Sequence, residues 1–186
     1  MRRGLVGLVV LVGCAGLRGA GPDPSEHVRG EHQRVLQEPL DRLWPALLKA
    51  LPDEGLEVAH ADRARGTIAT RAFKLSGRDV PRRLAEIGDL SRARSEGLQG
   101  VSELRITYEL LLASRGDAGT SLRIRSAIDA IDRSDSVLVG SVLQAVPRHV
   151  EVPSRGIVER DLMRRLVAGM FSAEETLVLL GEPGVD

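Results

Sequence analysis

From Leu56 onward the chain is dominated by positions that alternate between apolar and polar. In Glu103 to Leu112, Leu104, Ile106, Tyr108, Leu110 and Leu112 share one side, while Glu103, Arg105, Thr107 and Glu109 share the other. In Ser121 to Ile131, Leu122, Ile124, Ser126, Ile128 and Ala130 alternate with Arg123, Arg125 and Asp129. A period of two places one greasy and one wet face on each strand, the pattern of an antiparallel sheet covered on one side. The loop Ser114 to Gly119 joins the two as a hairpin. A second hairpin is expected from Leu56–His60 and Thr67–Lys74, turning at Asp62 to Gly66.

Helical spacing flanks these strands. Leu36, Leu40, Leu43, Leu47 and Leu51 recur at intervals of three and four, which predicts a helical region over Glu26 to Leu51. Pro39 should break it, leaving a main helix from about Asp41, its expected N-cap, to the residue before Pro52. Gly55 should close the turn that follows. Near the C-terminus Val158, Leu162, Leu166 and Met170 or Gly169 form a second stripe, with Ser154 as expected cap. Ser172 to Glu175 has capping-box spacing. The expected fold is α+β: a four-strand antiparallel sheet of two hairpins, packed against an N-terminal and a C-terminal helix. The domain would run from 26 to 186, with inserts at about 76–100 and 133–153.

The first residues obey a different rule. Arg2 and Arg3 precede Gly4 to Gly13, ten residues without a charge. A helix of that length rises about 15 Å, half a hydrocarbon core, so it is too short to span but fits the apolar region of a secretory signal. Cys14, the one cysteine of the chain, follows directly. Residues 15 to 25 (AGLRGAGPDPS) are rich in Gly and Pro and read as a flexible tether.

Leu11, Val12, Gly13 and Cys14 together resemble the lipobox of bacterial lipoproteins. The resemblance implies a signal peptide over 1–13, cleavage before Cys14, a diacylglyceryl thioether on its sulfur and an acyl chain on its new amine. Two or three chains make a stable anchor, whereas one binds marginally. Ala15 rather than aspartate after the cysteine implies sorting to the outer membrane, facing the periplasm. Three further stretches, Asp41 to Leu51, Asp62 to Ile68 and Pro153 to Arg160, are similar in type and order to the helix-grip domain of BamC-like (NlpB/DapX) lipoproteins. Members of that family show a Trp- and Leu-bearing helix, a hairpin with an Asp-Arg and a Gly, and a last helix opening with Ser, Gly and Glu. The resemblance implies a role in cell-envelope assembly and an envelope protein as partner.

Charge and chemistry narrow the function further. The 26 basic and 26 acidic residues balance; without Arg2 and Arg3 they stand at 24 and 26, so the cleaved chain carries −2. Such a balance argues against a nucleic-acid binder. No zinc-protease, phosphate-loop or serine-elbow motif occurs, and Cys14 would be consumed by lipid, so no catalytic residue, metal site or cofactor is expected. His27 and Glu31 are four apart but read as a solvated helix end rather than a metal site, and Trp44 reads as core packing. The insert 76–100 is the candidate partner-binding arm, through Arg82, Arg83, Leu84, Ile87, Arg92 and Arg94. Val80 and Pro81 could open a short helix there. In the other insert, Val137, Leu138, Val139, Val142, Leu143 and Val146 are expected to line a groove between the sheet and the last helix. The leading expectation is a lipid-anchored, non-catalytic envelope adaptor; the alternative is a periplasmic carrier of a small apolar ligand or lipid.

Overall fold

A computed structural model describes residues 30–91, 98 and 100–171. It is an α+β fold in which one antiparallel sheet is covered by helices. The spine is a long hairpin, β5 (Val101–Ser114) with β6 (Thr120–Asp132), paired from Val101↔Asp132 to Ser114↔Thr120. Alternation held over more than ten residues makes this pair, because slipping it by one position would turn every leucine and isoleucine into water.

Each outer edge of the spine is shared by two shorter strands laid end to end. Along β5 run β3 (Thr67–Thr70) and β4 (Phe73–Ser76), with β2 (Val58–Asp62) beyond β3. Along β6 run β1 (Glu31–Leu36) and β9 (Arg148–Val152). The sheet therefore has seven strands, not the expected four. Three misreadings account for the difference, one of them β9, which lies in a stretch read only as an insert. The stretch Thr67 to Lys74 is interrupted at Arg71 and Ala72 and becomes two strands. Residues Glu31 to Leu36 form a strand where a helical region was expected. A spacing of four, as between Leu36 and Leu40, is in phase with a period of two as well as with a helix turn. Pro39 then separates strand from helix.

Helix α1 (Leu40–Asp53) starts from Pro39 rather than from Asp41, which lies in the first turn and pairs with Arg63 at 2.5 Å. It runs through Pro52 to Asp53. Its end is a Schellman turn: Leu56 N–H donates to Leu51 (2.9 Å), Gly55 N–H donates to Pro52 (2.9 Å), and Gly55 has φ +73°. The insert after β4 contributes α2 (Val80–Ile87), and α3 (Ile157–Met170) closes the domain. Leu43, Leu47 and Leu51 of α1, Val80, Leu84 and Ile87 of α2, and Val158, Leu162 and Leu166 of α3 join the apolar even-numbered residues of β5 and β6 in one core.

The insert 133–153 also holds structure. It contains β9 and a separate two-stranded hairpin, β7 (Ser136–Val139) with β8 (Val142–Ala145). The expected groove does not form. Val137, Leu138, Val139, Val142, Leu143 and Val146 are 40–70% exposed, because the two-residue turn Gly140-Ser141 folds their stretch back on itself as a separate hairpin. Ser172 to Glu175, with its capping-box spacing, lies outside the described residues.

Candidate functional site

β1 begins opposite Arg125 and β9 ends opposite Ile128, so neither strand reaches Ser126 of β6. A carboxyl group from α3 closes this gap. Glu159 is completely buried; Ser126 donates to its Oε1 (2.5 Å) and Ser154 to its Oε2 (2.9 Å). Ser154 Oγ in turn accepts from Gly156 N–H at 3.1 Å, and Gly156 occupies the N-cap with φ +84°. Ser154 thus fastens the helix start through Glu159 instead of capping it directly. Across the strand from Ser126 stands Tyr108, whose phenol is pushed up to about 12 by burial; Arg165 opposes this and Glu159 reinforces it. Both serines donate into a buried acceptor, an arrangement that clamps sheet to helix. Sequence reasoning missed this cluster. Its one signal was Glu159 beside Val158 and one turn before Leu162 and Met163, inside the apolar stripe.

The proposed arm divides in two. Leu84 and Ile87 face inward and are buried in the core, so they cannot contact a partner. Arg82 and Arg83 face outward and are engaged along the helix, with Asp79 (3.5 Å) and Glu86 (3.1 Å). Arg92 and Arg94 lie outside the described residues. α2 is tied to the β9–α3 connection by Asp89 N–H to Pro153 (2.7 Å) and Arg155 N–H to Ile87 (2.9 Å). Beside this junction lies an open depression of about 580 Å³, lined by Ala85, Asp89, Ser91, Ser154 and Arg155 among others. It is not between α1, α3 and the sheet.

The helix-free face of the sheet carries polar pairs, most of them between strands. Glu31 pairs with Arg125 (2.8 Å), and Gln33 accepts from Arg123 (2.7 Å). Asp129 meets His149 at 2.8 Å, and Glu103 meets Arg105 at 2.7 Å. The hydrogen bond from Arg105 holds the Glu103 carboxyl below its ordinary range. Glu31 is therefore committed within the sheet, while His27 lies outside the described residues. Trp44 is buried in the core. Among the described residues no three metal-ligating side chains cluster, and no helix is long and apolar enough to cross a membrane. The lipobox residues Leu11, Val12, Gly13 and Cys14 also lie outside the described residues.

The remaining feature is the β7–β8 hairpin. Leu138 and Leu143 face each other on one side of it, at 68% and 70% exposure; Val139 and Val142 do so on the other, at 55% and 63%. Gly140, with φ +65°, makes the tight turn. Compared with known proteins, the chain matches no family model and no curated protein.

Proposed function

We propose that the protein is a lipid-anchored, non-catalytic component of the bacterial cell envelope, acting as an adaptor on the periplasmic side of the outer membrane. The observation that carries this reading is the sequence Leu11-Val12-Gly13-Cys14, whose first three residues end the ten-residue uncharged segment Gly4 to Gly13 behind a basic start. The order of the folded part, with α1 between β1 and the remaining strands and α3 after them on one core, supports a helix-grip domain of the BamC-like kind. Its partner would then be another envelope protein, reached from the end of the tether. An apolar-ligand carrier would need free space between helices and sheet. Leu43, Leu47, Leu162 and Leu166 fill that layer at 0% exposure, which favours an adaptor over a carrier.

The test is lipid labelling in a bacterial host with the native N-terminus. Wild-type chain should take up a clickable fatty acid, fractionate with membranes and accumulate as precursor under globomycin. Cys14→Ser should do none of these. A wild-type product that is soluble and unlabelled would remove the anchor and the adaptor reading with it.

A further inference from the structure

We infer that the β7–β8 hairpin is a second membrane contact, dipping into the interface of the same bilayer that holds the lipid on Cys14. This rests on the lipoprotein reading above. From Ser136 to Pro147 the chain runs twelve residues without a charge, and charges resume at once on either side, at Asp135 and Arg148. The hairpin is apolar on both of its faces. A docking protein would cover one face and leave the other wet; a bilayer surrounds both. The exposed pairs Leu138/Leu143 and Val139/Val142 lie nearest the turn, so the end that projects furthest is also the greasiest.

The backbone sets the depth. A lone two-stranded hairpin leaves the outer edge of each strand without partners, which the hydrocarbon centre does not tolerate. Burial of about 5–10 Å at the boundary of headgroups and acyl chains is compatible with it. Four residues of strand extend about 13 Å, enough for the turn end to enter while Asp135 and Arg148 stay among headgroups.

The tether allows this placement. Cys14 and Gly30 are separated by sixteen backbone steps of at most about 3.6 Å, a reach of more than 50 Å. β1 enters the sheet opposite Arg125, and the hairpin follows the end of β6 at Asp132, seven residues further along that strand. Seven residues of strand span about 23 Å, well inside the reach. The β5–β6 loop around Asp117 stands at the far end of the same strand, about 40 Å away, and would face the periplasm.

The experiment uses the full chain, produced with its own signal and reconstituted in phosphatidylethanolamine–phosphatidylglycerol vesicles. Because Cys14 is the one cysteine and would be a thioether, Leu138→Cys provides a unique thiol for an environment-sensitive fluorophore, with Asp117→Cys as control. Intact mass reports acylation of Cys14 separately. The label at 138 should shift to the blue and be quenched by lipids spin-labelled high on the acyl chain, while that at 117 stays in water. Adding Leu143→Asp to Leu138→Cys should abolish both the shift and the quenching. Acylated protein with position 138 as wet as 117 overturns the hairpin contact and leaves the anchor standing. A shift that grows with protein concentration in lipid-free detergent would mean that a second copy covers the hairpin, and also overturns it. An unmodified Cys14 overturns the anchor, and this inference with it.

Discussion

Glu159 sits at 0% exposure between two hydroxyls, in the first turn of α3, where the helix N-terminus favours an acidic group. Removing it strands the buried hydroxyl of Ser154 and the half-buried one of Ser126 at the seam between β1, β9 and the helix. Glu159→Ala should therefore cost roughly 2–4 kcal/mol, and Glu159→Gln, which keeps an acceptor for one serine, about half as much. Urea denaturation followed by the single Trp44 would measure both. A loss below 1 kcal/mol for the alanine would mean that the seam is held by packing alone. Tyr108, next to this seam and 7% exposed, gives a prediction in pH. Burial raises its phenol from 10.0 to about 12. Between those values the unfolded chain releases a proton that the folded one retains, so ionisation favours unfolding. The stabilising contribution is complete below pH 10 and is lost as pH rises to 12, by roughly 2–3 kcal/mol. As the chain has one tyrosine, phenolate absorbance reads the group directly, and Tyr108→Phe should flatten that part of the stability profile. A midpoint near 10 in the folded protein would contradict the burial argument.

At the level of elements, two glycines should respond to alanine in opposite directions. Gly66 turns β2 into β3 with φ +65°, and a Cβ there would lie 2.2 Å from the carbonyl oxygen of Leu112, a backbone atom that cannot step aside. Gly66→Ala should cost about 2 kcal/mol or more, from left-handed strain plus displacement of β5. Gly169 lies exposed near the end of α3 with nothing within 4 Å of its would-be Cβ, so Gly169→Ala should gain about 0.5–1 kcal/mol. Thermal melts of the two variants would show shifts of opposite sign. The same turn marks the boundary of what sequence could reveal. Asp62 to Gly66 was readable as a turn because its glycine has a local task. β5 and β6 were readable because their alternation persists well beyond chance. β1 was not, since His32, Arg34 and Leu36 are too few and too polar to override the leucine spacing that continues into α1. β9 was hidden because its alternation is only Val150 and Val152, and the β7–β8 hairpin separates it from its partners on β6. The hairpin residues were picked out as apolar, but the two-residue turn at Gly140-Ser141 was overlooked, and apolar side chains were assumed to be covered. In α2 the arginines and the leucines were read as one surface; the helix period separates Arg82 and Arg83 from Leu84 and Ile87, and only the latter face the core.

For the whole molecule, the sheet distributes stability unevenly. The β5–β6 spine is flanked on both edges and roofed by three helices, so its amides should open only with global unfolding. β1 depends on β6 through pairs about ninety residues apart, such as Glu31↔Arg125, and can form only once the spine exists. The β7–β8 hairpin borrows nothing from this core: its strands pair with each other, and every residue from Ser136 to Ala145 is exposed. Two strands without a covered face are marginal in water. Hydrogen exchange of the detergent-solubilised chain should therefore find Val137 to Val146 exchanging far ahead of Leu104 to Leu112 and Leu122 to Ala130. The same comparison in vesicles asks what the hairpin is for. If lipid supplies the apolar surroundings that the fold withholds, exchange over Val137 to Val146 should slow on reconstitution while the spine remains unchanged. Protection that is already high without lipid would mean that the hairpin draws stability from another surface, and the marginal-stability argument would fail at this point.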